Sequence, residues 1–243
     1  MKLEITNYPQ FYQILDSINT DAIQYFDNFI DQKTCNECID LLDTNESQGN
    51  CQEGELGFGT IDKNRKNAVN LSFNDNNKKL KALSDIIAPN LGIFIRHYLM
   101  NLGYFGSQYI ELNDTELKKS LPRLPESMQI RQMGIRKYPK NEGGYFMPHY
   151  DNQGYHQRFR VVAVILYLND IKYGGETIFP LLKRRIQPKA GRLALFPPYY
   201  THLHYGNSSP EDKYTIVAHI VDDPTKELDE YYSKIKEKKN GKK

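Results

Sequence analysis

This sequence has few cysteines and no long apolar segment. Cys35, Cys38 and Cys51 are an odd number of thiols, which fits free cysteines in a reducing compartment. The longest apolar run, Val161 to Leu168, is much shorter than the roughly 20 residues that cross a bilayer. The N-terminus shows no apolar signal-peptide core. We therefore expect a cytoplasmic protein without membrane contact, in which the apolar run forms a buried strand.

The sequence also lacks an excess of either charge. Lys and Arg number 32 against 30 Asp and Glu, a formal net charge of +2. This balance gives no indication of nucleic-acid binding. With 39% hydrophobic residues, the chain can bury an ordinary globular core. The C-terminal KIKEKKNGKK is typical of a solvated end, with a weak phosphate or nucleic-acid contact as the alternative.

The pair Cys35 and Cys38 permits two interpretations. A Cys-x-x-Cys spacing occurs in zinc and redox sites, but a structural zinc ion normally takes four ligands and no second Cys/His pair lies nearby. The favoured alternative is a helix that opens with a capping box from Thr34 to Glu37. In that helix Cys38 packs inward beside Leu41 and Leu42.

The first half of the chain predicts helices and irregular segments. The predicted elements are a helix over 8–18, a strand over 22–30, a helix from Thr34 to about Asp43, a strand over 68–73 and a helix over 78–101. We expect Pro89 to kink or split the last helix, because proline lacks a backbone N–H and its ring collides with the preceding turn. Residues 44–77 are polar and glycine-rich, which indicates a long functional or mobile loop.

From Gln129 onward the pattern changes to short strands separated by turns. These runs, rich in β-branched and aromatic residues, cover 129–138, 146–151, 158–169, 176–181, 192–198, 201–206 and 213–221. Such spacing predicts an antiparallel sandwich or barrel. We therefore predict an α+β fold with a mainly β core, organised as one compact domain. Residues 1–128 support the core at 129–223, and 224–243 form a polar tail.

The residues with clear chemical potential lie on these predicted strands. His149 and Asp151 are two residues apart, so on an extended strand both side chains leave by the same face. A second histidine would complete the 2-His-1-carboxylate set that holds non-haem Fe(II) and leaves open positions. His202 and His204 are both candidates. A hairpin folded about residues 208 and 209 would place His204, rather than His202, opposite the cation of Lys213.

This combination resembles a known enzyme family over residues 129–222. The chain is similar to the Fe(II)- and 2-oxoglutarate-dependent dioxygenases, and most similar to their prolyl 4-hydroxylase-like branch. The motifs that carry the resemblance are Tyr138, His149-Tyr-Asp151, Tyr167-Leu-Asn, Gly174-Gly-Glu-Thr, Phe196-Pro, His204-Tyr-Gly and Lys213-Tyr. The resemblance implies a double-stranded β-helix, a jelly-roll or cupin-like barrel with supporting N-terminal helices.

The resemblance also implies a role for each matching position. His149, Asp151 and His204 match the iron ligands. Lys213 and Tyr167 match the residues that bind the distal carboxylate of 2-oxoglutarate, and Tyr138 matches a second tyrosine of that pocket. The substrate side is implied at Arg160 and Phe146, and we add Tyr199 and His202 as residues of the rim. One departure is His219, where the family commonly has tryptophan.

The implied cofactors are Fe(II), the co-substrate 2-oxoglutarate and O2, with ascorbate as a further reductant. We expect hydroxylation of an unactivated C–H bond, in a prolyl or other residue of a protein or peptide, with release of succinate and CO2. Hydroxylation of a free amino acid or another small molecule is a close variant. Two other classes stay open: a non-catalytic metal-binding jelly roll, and a metal-dependent isomerase or hydrolase that uses His149, His202 and His204. We also expect residues 44–77 or Asn152–Gln157 to close over the substrate.

Overall fold

A computed structural model describes residues 21–56, 60–74, 76–103, 125, 127–140, 145–154, 157–223 and 225 of the chain. The helix predicted over residues 8–18 lies outside the described residues, as does nearly all of the predicted C-terminal tail. The helices are α1 (Gln32–Ser47) and α2 (Lys78–Asn101), with 3₁₀ turns at Pro180–Leu182 and Tyr200–His202. The strands are β1 (Gln24–Phe26), β2 (Gln52–Glu53), β3 (Val69–Ser72), β4 (Met128–Tyr138), β5 (Phe146–His149), β6 (Arg160–Tyr167), β7 (Thr177–Phe179), β8 (Arg184–Ile186), β9 (Leu193–Phe196), β10 (His204–Gly206) and β11 (Lys213–Asp222).

Helix α1 begins earlier and ends later than the sequence pattern predicts. The carboxylate of Asp31, not the Thr34 side chain, caps it by accepting the Thr34 N–H at 2.7 Å. The buried face carries Cys35, Cys38 and two leucines, so the inward packing of Cys38 is confirmed. All three cysteines are free, and within the described part of the chain no metal-binding group includes them.

Helix α2 runs through Pro89 without being divided. Asn77 caps its first turn, since its side-chain oxygen accepts the N–H groups of Lys79 and Leu80 at 3.0 and 3.2 Å. One face of the helix is buried in the main core. This packing offsets the backbone hydrogen bond that Pro89 cannot donate.

The strands form two antiparallel sheets. The larger sheet has seven strands in the order β1-β9-β6-β11-β4-β3-β2, and the smaller has four in the order β5-β10-β7-β8. Strand β8 comes from a basic segment that the sequence pattern does not mark as a strand. Three strands of the larger sheet, β1 to β3, come from the first half of the chain. That half therefore extends the sheet as well as covering it with helices.

The central strands β6 and β11 are buried on both faces. On β11, Ile216, Ala218 and Ile220 pack in the main core with the two helices. The alternate residues of β11 (Lys213, Thr215, Val217 and His219) line the cavities on the opposite face. Because neighbouring side chains of a strand leave by opposite faces, one strand supplies both the core and the site.

The predicted pairing of β10 with β11 is wrong. Strand β10 pairs with β5 and β7, whereas β11 pairs with β4 and β6, so residues 207–212 cross from one sheet to the other. Gly174 makes room for this crossing. Its φ is +75°, and a Cβ at that position would lie 2.4 Å from the carbonyl oxygen of Ser208. His204 and Lys213 nevertheless line one cavity, because the two sheets face each other across it.

In the described residues there is no helix of the length and apolarity needed to span a membrane.

Candidate active site

Two neighbouring strands of the smaller sheet bring the His-Asp-His set together. His149 ends β5 and is the direct cross-strand partner of His204, which begins β10. Asp151 lies just beyond the end of β5, in the turn that follows. One ligand atom from each of the three residues lies within 4.8 Å of the other two. Asp151 Oδ1 is 3.6 Å from His149 Nε2, and Oδ2 is 3.7 Å from His204 Nε2.

Backbone carbonyls orient both imidazoles. His149 Nδ1–H donates to the Met147 carbonyl at 2.7 Å, and His204 Nδ1–H donates to the His202 carbonyl at 2.9 Å. A carbonyl can only accept, so the proton of each ring sits on Nδ1 and the lone pair of Nε2 faces Asp151. Burial lowers the pKa of His204 to about 4, helped by the adjacent His149. His204 is therefore a neutral ligand at physiological pH.

The carboxylate of Asp151 is held in its ionised form. Burial raises its pKa, but His204, His149 and His219 outweigh that effect and keep the pKa well below its usual range. His219 Nε2 lies 3.5 Å from Asp151 Oδ1, and neither nitrogen of this buried ring has a hydrogen-bond partner in the described part of the chain. Two neutral imidazoles and one anionic carboxylate with adjacent free lone pairs fit the ligand preference of Fe(II).

A small cavity continues from these three residues to Lys213, whose side chain is 96% buried. The ammonium group lies 5.2 Å from the ring centre of Tyr138 and 5.7 Å from that of Tyr167. Burial lowers the pKa of Lys213 to about 8, partly opposed by the charge of Glu176. No hydrogen bond joins this ammonium to any described residue. A buried cation without a partner is costly, so the pocket suits an anion.

The two predicted tyrosines have different positions in this pocket. Tyr138 lines it, on the strand directly beside Lys213. Tyr167 lies behind the wall, where its hydroxyl donates to Thr177 Oγ1 at 2.7 Å and Thr177 borders the cavity. The hydroxyl of Thr215, two residues after Lys213, is buried without a partner in the described region and also borders the cavity.

A second, open cavity of about 630 Å³ lies on the other side of His149 and Asp151. Phe146 and Arg160 line it, as predicted for the substrate side. Arg160 donates to the Asp151 carbonyl at 2.6 Å and also to Gln132. Residues from both segments that were predicted to close over the substrate border the cavity, among them Glu55 of 44–77 and Gln153 of Asn152–Gln157.

The other two residues of the predicted rim do not reach either cavity. Tyr199 is partly exposed and borders neither of them. His202 is buried, with Nε2–H donating to the Asp21 carbonyl at 2.7 Å and Nδ1 2.9 Å from the Thr201 hydroxyl. With both nitrogens engaged, His202 is not available to a metal, and the set of His149, His202 and His204 does not form.

Sequence reasoning missed three cations that line the open cavity, Arg65, Lys66 and Arg136. Lys66 lies between β2 and β3 and reaches the site because it forms an isolated antiparallel bridge with Phe146, the first residue of β5. Arg136 precedes Tyr138 by two residues, so the alternation along β4 could have identified it. Burial, together with the nearby charge of Arg136, lowers the pKa of Lys66 to about 7.

Comparison with known proteins identifies this arrangement. Residues 133–221 match the family model described as the 2OG-Fe(II) oxygenase superfamily. No curated protein sequence matches the chain significantly. The matched segment contains the His-Asp-His set, Lys213 and His219, and ends one residue before the end of β11.

Three solved structures share the fold. The first is a Trichoplax adhaerens prolyl hydroxylase in complex with a peptide fragment of the hypoxia inducible factor oxygen degradation domain. It is 15% identical to this chain with a TM-score of 0.61, and the match covers 89% of this chain and 94% of that protein. A viral collagen prolyl hydroxylase from Paramecium Bursaria Chlorella virus-1, in complex with 2OG, is 17% identical with a TM-score of 0.52, covering 84% and 98%. A Pseudomonas putida prolyl-4-hydroxylase is 12% identical with a TM-score of 0.56, covering 88% and 100%.

The predicted double-stranded β-helix fold is therefore confirmed. The family model together with the His-Asp-His set supports Fe(II) and 2-oxoglutarate as the cofactors. Residues 133–221 thus carry the sequence features of the 2OG-Fe(II) oxygenase superfamily, and the chain has the fold of the prolyl hydroxylases.

Proposed function

We propose that this protein hydroxylates an unactivated C–H bond in a residue of a peptide or protein, most simply a prolyl residue. In this reaction 2-oxoglutarate and O2 are consumed, and succinate and CO2 are released. One oxygen atom of O2 enters the new carboxylate of succinate, and the other becomes the hydroxyl of the product. A location in the cytoplasm stays a prediction from the sequence.

In this proposal His149, Asp151 and His204 hold the iron, which supplies the site for chelating 2-oxoglutarate and activating O2. The two carbonyl-bound imidazoles present Nε2 without a proton to displace. Phe146 stacks on His149 with ring centres 3.6 Å apart, and Phe196 contacts His204 edge-on at 4.8 Å. These rings restrict both imidazoles and exclude water from behind them.

Lys213 holds the distal carboxylate of 2-oxoglutarate in the proposal. The observation that carries this role is the buried, unpartnered ammonium at the far side of the cavity that begins at the three ligands. A charge-assisted hydrogen bond is strong in such a water-poor pocket. Tyr138 and Thr215, which line the same pocket, provide hydroxyl groups beside the carboxylate.

The peptide substrate is supported by the open cavity on the other side of Asp151. Its volume of about 630 Å³ is large enough for a side chain together with neighbouring backbone. One solved relative in fold, from Trichoplax adhaerens, is in complex with a peptide. The likeness to that protein is one of fold, so the peptide screen described next identifies the substrate residue that is hydroxylated.

Succinate formation tests the proposed activity. The protein is mixed with Fe(II), 2-oxoglutarate and air, first alone and then with panels of prolyl peptides and free amino acids. We expect slow succinate release without substrate and at least about tenfold faster release with a true substrate. Stimulation by a free amino acid alone would replace the peptide by a small molecule.

Two variants separate the roles of metal and co-substrate. His149→Ala should abolish the weak visible band that Fe(II) and 2-oxoglutarate form together without oxygen. Lys213→Ala should retain Fe(II) binding but weaken the affinity for 2-oxoglutarate by about tenfold or more, because the buried charged contact is lost. A Lys213→Ala protein with wild-type affinity would refute the role of Lys213. A wild-type protein that binds metal but not 2-oxoglutarate would refute the proposed activity.

A further inference from the structure

Two cations of the open cavity, one buried and one partly buried, form no ion pair with any residue that the structure describes. Lys66 is 4% exposed, and its ammonium donates to the carbonyl of Glu55 at 2.8 Å rather than to a carboxylate. Arg136 lies on β4 between Asn70 of β3 and Thr215 of β11. Its guanidinium has no hydrogen bond or ion pair with any residue that the structure describes. A charge that is shielded from water is normally paired, so the buried Lys66 and the partly buried Arg136 beside it indicate a missing anion.

The acidic residues of the cavity wall do not supply that anion. Glu53 forms an ion pair with Lys63 at 2.7 Å, on the exposed side of the strand. The Glu55 side chain is exposed, and its backbone carbonyl makes the contact with Lys66. Asp151 is oriented toward the metal-binding histidines. Arg160, another basic residue of the cavity wall, differs from Arg136 because it donates hydrogen bonds to the Asp151 carbonyl and to Gln132.

The backbone is shaped to keep Lys66 in place. A Cβ at Gly54 would lie 3.2 Å from Lys66 Cε and 3.1 Å from the Ala68 carbonyl oxygen, so a larger residue there would displace the lysine side chain. The ammonium of Lys66 sits 4.8 Å from the ring centre of Phe146, and that ring stacks on His149. Lys66 is thus one aromatic ring away from a predicted iron ligand.

Other polar groups in the same wall also lack partners. Both ring nitrogens of His219 and the side-chain oxygen of Asn70 are buried without hydrogen bonds to described residues, and both side chains line the cavity. A cavity that combines unpaired cations with unsatisfied polar groups is suited to a charged, polar ligand.

We propose that Arg136 and Lys66 form an anion subsite that selects a substrate carrying a carboxylate close to the C–H bond that is oxidised. This inference rests on the proposed function and specifies its substrate. The carboxylate belongs to an aspartyl or glutamyl residue next to the target residue of a peptide. The open shape of the cavity favours this source over a free carboxylic acid.

Calorimetry on the holoenzyme tests the subsite without turnover. The protein is saturated with Fe(II) and 2-oxoglutarate in the absence of oxygen. It is then titrated with three peptides that differ only in the residue after a central proline, which is Glu, Gln or Lys. N-acetylglutamate and N-acetylglutamine form the small-molecule arm. We expect the Glu peptide to bind at least about tenfold more tightly than the Gln peptide, and the Lys peptide to bind most weakly.

Variants on one strand show whether Arg136 causes the preference. Arg136→Gln should weaken the preference for the Glu peptide over the Gln peptide, because only Lys66 remains in the subsite, and Arg136→Glu should favour the Lys peptide. Arg131→Gln is the matched control, since Arg131 is an exposed residue of the same strand that borders neither cavity. This control should keep the preference. The reversed order in Arg136→Glu could not come from loss of folding alone.

Several results would overturn the subsite. Equal binding of the Glu and Gln peptides to the wild-type protein would do so, as would a failure of every anionic probe to bind. A loss of 2-oxoglutarate affinity in Arg136→Gln would assign the arginine to the co-substrate instead, because Arg136 also borders that pocket. Tighter binding of N-acetylglutamate than of the Glu peptide would replace the peptide by a free acid. Succinate release without substrate is measured in parallel, so a failure of the proposed activity is seen separately.

Discussion

At the scale of single residues, burial determines how strongly Lys213 attracts an anion and at which pH it loses its charge. A lysine exposed to water would attract a carboxylate weakly and would stay charged beyond pH 10. In the pocket, loss of water strengthens the contact with an anion but lowers the pKa of the free ammonium to about 8. If Lys213 holds the co-substrate as proposed, the affinity for 2-oxoglutarate depends on a group that titrates close to physiological pH.

This property predicts a pH dependence of 2-oxoglutarate binding. The charged form of Lys213 is present below pH 8 and is lost above it. We expect the affinity to be constant from pH 6.5 to 7.5 and then to fall by up to about tenfold per pH unit above 8. Anaerobic titration with Fe(II) measures this affinity.

Lys213→Arg is the matched control for the pH series, because a guanidinium stays charged over the whole range. Its affinity, whatever its absolute value, should not fall between pH 7.5 and 9. A parallel decline in both proteins would assign the pH dependence to another group. The lowered pKa also affects the stability of the wild-type protein. Between pH 8 and 10.5 the unfolded chain keeps a proton on Lys213 that the folded chain has lost. The free-energy cost of burying Lys213 therefore decreases as the pH rises through that window.

The residues of the proposed metal and co-substrate sites could be predicted from the sequence. His149, Asp151, His204 and Lys213 meet in space, as their order and spacing indicate. Lys66 and Arg136 could not be assigned in that way, because a lysine or arginine without its surroundings is most often a solvated charge. Their burial depends on pairing between strands that are far apart in the chain. The same is true of His202, whose partner is the backbone of Asp21.

At the scale of elements, helix α1 is joined to the sheet by a partly buried ionic cluster. Lys137 on β4 donates to Asp43 at 3.0 Å and to Glu46 at 2.9 Å, both on α1. The hydroxyl of Tyr214 on β11 donates to the same Asp43 carboxylate at 3.0 Å. Burial lowers the pKa of Lys137, but Glu46 and Asp43 outweigh it and raise the pKa above its usual range. The helix is thus fixed to two strands that continue directly into the active site, at Tyr138 and Lys213.

Removal of this cluster should lower the stability of the fold. Lys137→Met keeps the length of the side chain but leaves two carboxylates without their cation. We expect the free energy of unfolding to fall by about 1–3 kcal/mol, measured by urea denaturation near pH 7. Lys33→Met on helix α1 is the control. Lys33 and Glu37 are 3.8 Å apart with 83% and 52% of their side chains exposed, so we expect a change of at most about 0.5 kcal/mol. Equal effects of the two substitutions would show that the cluster adds no stability.

Elements with a strong periodic pattern were predictable, whereas their ends and pairings were not. The 78–101 helix and strands β4, β6 and β11 lie where their apolar patterns indicate. The start of α1 was missed because two polar residues three positions apart, Asp31 and Thr34, can each cap a helix. The β10–β11 hairpin was wrong because a turn-like sequence does not distinguish a return within one sheet from a crossing to the other. Strand β8 was missed because Arg184 and Arg185 carry no apolar alternation.

At the scale of the whole molecule, the site joins the two sheets. The smaller sheet contributes His149 and His204, and the larger contributes Lys213 and Tyr138. A co-substrate that binds the metal through one end and Lys213 through the other therefore connects both layers. The sequence could predict the mainly β architecture, since alternating patterns define it. It could not predict how the layers face each other, because that depends on which strands pair.

This bridging predicts that metal and co-substrate stabilise the fold in two separable steps. Each ligand at a concentration of about 100 times its Kd adds about 2.7 kcal/mol, because only the folded state binds it. For a chain of this size that corresponds to a rise in Tm of about 5–10 °C. Anaerobic thermal unfolding should show one such rise with Fe(II) and a further rise with 2-oxoglutarate. His149→Ala should lose both, whereas Lys213→Ala should keep the first and lose most of the second. A full second rise in Lys213→Ala would mean that 2-oxoglutarate binds within the smaller sheet alone, without connecting the two layers.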